Sequence, residues 1–394
     1  MSDFNLYQAS NQWATRPDDQ RFWTLEDMLA ACTEYRNSAR EAKVTFTSLH
    51  VQPMGGDGAQ LAVVGPAGNP AILTHWAMGQ LSGAAGAPAS YLRSLPADLA
   101  CTNINYGLAQ RGADVANLLI HKNGGLVLRS ATSEDYSRIW NVDVINRLLP
   151  FRQYGWRVPP ARPVNGNSRG ARPATEADVL ESREGGGGLS VNVGDMIAPA
   201  GLYASDHDCF IFMVNEKNRI RDGSEGGLSR GFFLTNSEVG NGKALKVTTF
   251  LYRHVCGNHI VWGAEGVQEI KVVHRGEADL RFRRELEAEI RSYAEGSAAE
   301  DEAAIASARR FKLGNNKDEV LNGLFKALRG DLSRKTIEAS YDQAVLEAEK
   351  ETTLDPNTAW GYAQGLTAYS QETPYADERS KLDRASGKVL SMAF

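Results

Sequence analysis

The chain has no basic excess. Its 394 residues include 43 Lys or Arg against 48 Asp or Glu, a net charge of −5. No overall positive field is available to hold a polyanion, so nucleic-acid binding would need a local patch or an array of patches in an oligomer. Long apolar runs are missing too, and none approaches the roughly 20 residues of a membrane span. The four cysteines, Cys32, Cys101, Cys209 and Cys256, form no CxxC pair. Scattered thiols of this kind fit a reduced, cytoplasmic protein better than a disulfide framework. The opening MSDFNLYQASNQW has neither the basic nor the apolar part of a signal peptide. Glycines 185–188 lack the Lys-Ser/Thr of a phosphate loop, and no G-x-S-x-G surrounds Ser237. No internal repeat of 20 to 50 residues is visible, and no cofactor motif emerges.

What is present reads as sheet first and helices after. Phe232–Leu234, Leu245–Val255 and Ile260–Trp262 are apolar runs, the second alternating and β-branched. Asn241-Gly242 is the dipeptide best suited to a tight hairpin turn, where both positions need positive φ. The segment predicts an antiparallel meander. Earlier, Thr24 with Asp27 resembles a capping box ahead of a helix over 25–42. Strands are expected over 44–49 and 60–64, helices over 73–83, 89–95 and 101–111, and a hairpin across Asn123-Gly124. A helix is expected over 135–149, and further strands over 189–193, 201–204 and 209–215. From Glu277 the chain turns charged and helical, beginning EADLRFRRELEAEIRSY and continuing to Leu390. The fold class is therefore α+β, an antiparallel β meander core with a helical C-terminal third. Composition divides the chain into a 1–70 arm with a small α/β element, a 71–180 α/β region, a 181–296 sheet core and a 297–394 helical region.

One absence is local. From Arg147 to Thr175 there is no acidic residue and no lysine, while arginines stand at 147, 152, 157, 162, 169 and 172. Phe151, Tyr154 and Trp156 lie among them. Five prolines and three glycines predict an irregular loop, disordered until it meets a partner. Guanidiniums neutralise phosphates, and interleaved aromatics offer faces on which unpaired bases stack. The candidate nucleic-acid contacts are Arg147, Arg152, Tyr154, Trp156, Arg157, Arg162, Arg169 and Arg172. Arg275, Arg281 and Arg284 join them at the junction of the meander and the long helix. The competing reading pairs these guanidiniums with carboxylates elsewhere in the chain.

Other clusters carry less. His254, Cys256 and His259 could ligate zinc, with His274 or Cys209 as a fourth ligand, but a buried strand cysteine accounts for the pattern equally. Asn236-Ser237-Glu238 offers a serine beside an acid, which a turn with side-chain-to-backbone bonds explains more simply. Tyr203, Asp206, His207 and Asp208 could form an acidic or metal cluster, or an exposed hairpin turn. An enzyme at the meander would use His254, His259, Glu238 and Asp208.

Four blocks carry a family resemblance. They are THWAMGQLSGAAGAPASYLRSLPADL (74–99), GLYASDHDCFIFMVNEKNRI (201–220), SRGFFLTNSEVGNGKALKVTTFLYRHVCGNHIVWGAEGVQEIKVVHRGEA (229–278) and TAWGYAQGLTAYSQETPYADERSKLD (358–383). Together they resemble the phage- and plasmid-borne proteins grouped as domain of unknown function 932. That resemblance implies a bacterial host cell and an origin among DNA-replication, repair and anti-restriction functions, with no settled activity. The order of meander then charged helix also resembles the β-β-β-α core of single-strand annealing proteins of the Rad52 type, which hold single-stranded DNA as rings or filaments. The expectation is a homo-oligomeric, non-enzymatic DNA-binding protein needing no cofactor. The alternatives are a metal-dependent enzyme on nucleic acid and a protein-binding inhibitor of a host defence system.

Overall fold

The computed structural model describes residues 20–55, 60–122, 124–163, 171–184, 191–199, 201–205, 207–224, 226–240, 245–253, 258–260, 269–272, 274, 278–372 and 376–394. In chain order, β1 (Arg21–Phe22) leads into α1 (Leu25–Asn37), then β2 (Ala39–Thr45), β3 (His50–Met54), β4 (Gln60–Val64) and β5 (Pro70–Leu73). Helices α2 (His75–Ala84), α3 (Ala89–Arg93) and α4 (Ala97–Ala109) precede the hairpin of β6 (Val115–Lys122) and β7 (Leu126–Ser133). These strands form a six-stranded sheet in the order β2-β6-β7-β5-β4-β3. Its one face buries Leu118, Leu128 and Ala131 beneath Leu81 of α2 and Ile104 and Leu108 of α4.

The second half begins with α5 (Asn141–Leu148) and the short strands β8 (Trp156–Arg157), β9 (Arg162–Pro163) and β10 (Arg172–Pro173). After α6 (Glu176–Glu184) come β11 (Met196–Ala198), β12 (Leu202–Ala204), β13 (Cys209–Ile220), β14 (Leu228–Asn236), β15 (Leu245–Arg253), β16 (Asn258–Ile260) and β17 (Glu269–Val272). Strands β12 to β15 pair antiparallel in sequence order, and β16 and β17 both pair with β15. The expected meander is present, and the fold is α+β. Period-two alternation decides which side chains go inward. Ile211, Met213, Phe232, Leu234 and Val247 face Met28 of α1, Ile145 of α5 and Phe282, Leu286 and Ile290 of α7 (Ala278–Glu295). The opposite face carries Tyr203, Phe210, Phe212, Phe233 and Phe250.

The helical third is α8 (Ala298–Arg310), α9 (Lys317–Ala327), α10 (Arg334–Lys350), α11 (Ala359–Glu372) and α12 (Ala376–Leu390). It wraps a core of Tyr362, Leu366, Leu382 and Val389 that reaches Leu251 of β15. A Cβ at Gly365 would lie 2.3 Å from the Ser340 carbonyl oxygen, so glycine lets α10 and α11 touch. That contact seats α11, and α12 is held to it by the buried Ser370–Asp383 hydrogen bond of 2.8 Å.

Several expectations are corrected. Thr24 caps α1 by accepting from the Asp27 N–H at 3.0 Å, but the helix ends at Asn37 instead of running to residue 42. Residues 39–45 pair with β6, and that pairing overrides their helical propensity. Of the expected strand over 44–49, residues 44–45 close β2 and Phe46–Ser48 form a 3-10 turn, followed by β3. The expected 135–149 helix begins only at Asn141, because Tyr136 to Trp140 run extended into the seam between the sheets. Where it is described, the Arg-rich stretch is ordered, with a 3-10 helix at Leu149–Tyr154 and three short strands. The Asn241-Gly242 turn lies outside the described residues.

Candidate functional site

Three regions could carry function, and the geometry separates them. The first is the seam where the β14 end docks on the smaller sheet. Glu238 accepts from the Asn141 N–H at 2.8 Å and lies 3.4 Å from Arg129, with both side chains buried. Arg129 also lies 2.9 Å from His121 Nε2. Asn236 donates to the Ile139 carbonyl at 2.9 Å and to Asn141 at 2.7 Å, and Ser237 donates to the His207 carbonyl at 2.6 Å. Gln80 closes the seam with both amide ends, donating to the Val239 carbonyl and accepting from the Ala131 N–H. These contacts are spent on the fold. A buried charge with such partners is costly to break and says little about ligand binding. The serine of Asn236-Ser237-Glu238 does bond backbone, as the turn reading expects, though in the separate loop between β12 and β13.

His207 and Asp208 are buried, which corrects the exposed-turn reading. Ser205 donates to Asp208 at 2.6 Å and its oxygen lies 3.0 Å from His207 Nδ1, so the loop closes on itself. Tyr203 is buried, and Asp206 lies outside the described residues. His274 stacks on Tyr136 at 5.2 Å with rings nearly parallel, and burial lowers its pKa to about 4, so the imidazole is neutral near pH 7. His254 and Cys256 lie outside the described residues, and the side chain of His259 is not described. Among the described residues no group of three or more His, Cys, Asp or Glu is placed to hold a metal ion. Burial pushes the Cys32 thiol up to about 12 and the Cys101 thiol to about 11, which removes both as nucleophiles.

The second region is the Arg-rich ribbon. Three of its cations are already met by carboxylates within the chain. Arg152 makes a two-pronged pair with Glu26 of α1. Arg157 does the same with Glu216 at 2.9 and 2.7 Å, and Arg172 with Asp178 at 2.7 and 2.7 Å. The Arg172 guanidinium also stacks on Trp23 at 4.1 Å. Arg147 is half-buried over the Phe282 ring at 5.9 Å. Trp156, expected as a stacking platform, is 2% exposed and meets Phe232 edge-on at 4.8 Å. Its faces belong to the core, and no base can reach them. Tyr154 stays at the surface, where Arg291 donates to its hydroxyl at 2.7 Å and stacks on its ring. Arg284 is exposed on α7. The side chains of Arg162 and Arg281 are not described, and Arg169 and Arg275 lie outside the described residues.

The third region was missed in the sequence. Helix α12 buries Leu382, Ala385, Val389 and Leu390 and turns Lys381, Arg384 and Lys388 outward. The spacing i, i+3, i+7 puts those three on one face. They line a hollow of about 420 Å³ with Gly330, Asp331 and Ala385. Lys388 pairs with Asp331 at 2.8 Å, an exposed contact that screening weakens. Lys381 and Arg384 make no ion pair among the described residues. Among the described residues the hollow thus carries three cations against one carboxylate. A larger cleft of about 620 Å³ beside Tyr136 has the opposite balance, with Asp114, Glu134 and Asp135 against Arg111, and would repel an anion.

No protein-family model, curated protein or solved structure matches the chain. Among the described residues no helix is long and apolar enough to cross a membrane.

Proposed function

We propose that the protein binds nucleic acid, single-stranded DNA in the first instance, with Lys381, Arg384 and Lys388 as its phosphate contacts. The observation that carries this reading is the cationic face of α12 lining a hollow on an otherwise anionic chain, two of its three cations making no ion pair among the described residues. At 1.5 Å rise per residue the stripe runs about 10 Å along the helix, long enough to meet successive phosphates of one strand. A flexible strand can bend a phosphate and sugar into a hollow of about 420 Å³, which a stiff duplex cannot do. The meander followed by α7 has the element order on which the likeness to annealing proteins rests, and that likeness adds support from topology alone.

The test is fluorescence anisotropy with a labelled single strand over a range of salt. Three phosphate contacts give a log–log salt slope of about −2. Changing Lys381, Arg384 and Lys388 together to Gln should flatten that slope and weaken binding by roughly tenfold or more at low salt. Equal binding by the triple variant would remove the site from this role, and no binding by the natural protein at low salt would remove the function.

A further inference from the structure

The two edges of the smaller sheet are treated differently. At the β3 edge, Asn105 of α4 reaches across and satisfies the outward backbone. Its amide accepts from the Val51 N–H at 2.7 Å and donates to the Val51 carbonyl at 2.8 Å. A further strand cannot add there without displacing it. Among the described residues the β2 edge has no such cover. Its seven residues, Ala-Arg-Glu-Ala-Lys-Val-Thr, contain neither proline nor glycine, and Arg40 and Glu41 are exposed.

The phase of β2 can be read from its ends. Lys122 donates to the Ser38 carbonyl at 3.1 Å, and Phe46 donates to the Asp114 carbonyl at 3.0 Å. Hydrogen-bonded pairs alternate along an antiparallel ladder. The even-numbered residues of β2 therefore point their backbone groups at β6, and Ala39, Glu41, Lys43 and Thr45 point theirs outward. The Thr45 carbonyl takes the Ser48 hydroxyl at 2.7 Å. The outward groups of Ala39, Glu41 and Lys43 have no hydrogen bond among the described residues.

We infer that β2 pairs antiparallel with β2 of a second copy, about a two-fold axis through Ala42. An isologous contact must be complementary to itself. Three two-fold registers near the strand centre bring outward groups face to face. An axis through Glu41 sets Glu41 opposite Glu41, and an axis through Lys43 sets Lys43 opposite Lys43. Only the axis through Ala42 sets Glu41 opposite Lys43, and it does so twice. Like charges directly opposite are unfavourable and opposite charges favourable, so charge selects one register. Glu41 already takes the Arg138 guanidinium at 2.8 Å, and Lys43 lies 3.5 Å from Glu134. Both keep exposed side chains that can turn to a partner across the axis. On the other face the small Ala42 meets its own copy and Arg40 meets Val44, so nothing bulky blocks the approach. The result is one continuous sheet through two copies, independent of the α12 stripe.

Ala42 in this register sits in a pair without hydrogen bonds, where Cα atoms are about 4.5 Å apart, within disulfide range. The test uses the full chain, nuclease-treated, with Cys256 changed to Ser; Cys32, Cys101 and Cys209 are buried. Ala42→Cys should oxidise to a covalent dimer at least tenfold faster than Arg40→Cys, which faces Val44. By sedimentation the natural protein should be dimeric at micromolar concentration, and Lys43→Glu should weaken the dimer at least tenfold. Equal oxidation rates for the two cysteine variants, a monomeric natural protein, or a Lys43→Glu protein as dimeric as its parent would each overturn the proposal. None of these outcomes bears on single-strand binding, which is measured separately.

Discussion

The Arg-rich ribbon and the α12 stripe hold the same kind of side chain in opposite circumstances. In the ribbon, Arg152, Arg157 and Arg172 each grip a carboxylate with two prongs, and the aromatic between them is core. On α12, Lys381 and Arg384 stand over a hollow and pair with no carboxylate among the described residues. A run of cations is therefore a poor guide to a field. In a chain with 48 acids and 43 bases, an acid-free stretch is the place to which acids from elsewhere fold back. Glu26 and Glu216 come to the ribbon from far along the chain. The stripe is neutralised only in part, by Asp331 at Lys388, because one face of a single helix can be kept largely clear, provided that its other face is buried. Bidentate pairs of this kind fix geometry as well as charge, so the ribbon acts as a clasp across α1, β13 and α6.

That contrast can be broken most directly at Trp156. If the ribbon is a clasp, Trp156→Ala should destabilise the fold by about 3–5 kcal/mol, the usual cost of emptying a large aromatic site. Strand affinity of the protein that remains folded should not change. Urea denaturation and anisotropy on the same sample separate the two. A stable variant with weakened binding would return the ring to the interface and undo the distinction between the regions. Next comes Arg157→Gln, which strands Glu216 in a half-buried position. Its expected cost is about 1–3 kcal/mol, the penalty for losing a partner of a partly desolvated charge. Arg384→Gln, by contrast, should alter stability by less than about 0.5 kcal/mol while lowering affinity several-fold. Equal stability losses at the two arginines would mean that the stripe is as structural as the ribbon.

Which parts of this were legible beforehand follows from where each signal lives. The meander showed itself in period-two alternation, since Ile211, Phe232, Leu234 and Val247 must share a face whatever else happens. The α1 start was written in Thr24 and Asp27, because a cap bond spans only three residues. Its end was not, because residues 39–45 become a strand only when β6 arrives from 76 residues away. The pairing of the ribbon was hidden for the same reason, as Arg152 and Glu26 are 126 residues apart. The stripe was present as Lys381, Arg384 and Lys388 at helical spacing. What could not be seen was that Gly330 and Asp331 would curve back beneath it and make a hollow. Charge runs announce themselves locally, whereas charge balance is a property of the folded surface.

The smallest and most selective probe of the contrast is pH. The Arg172 guanidinium, with the Thr175 hydroxyl and N–H, holds the Asp178 carboxyl well below the usual carboxylate range. A depressed folded pKa means that the native state releases this proton more readily than the unfolded chain. The stabilisation is therefore whole above the unfolded value of about 3.9 and fades as pH falls through the lower folded value. Arg172 is 41% exposed, so water screens the pair and the gain is modest. The stability gap between the natural protein and Arg172→Gln should be constant from pH 7 to about 5 and should narrow below about 4. Lys381→Gln should show no such narrowing, because no carboxylate among the described residues is bound to that ammonium. Urea midpoints at four or five pH values would decide it. The absence of any gap for Arg172→Gln, at pH 7 as in acid, would mean that its guanidinium is free in solution. The ribbon would then regain its claim to phosphates.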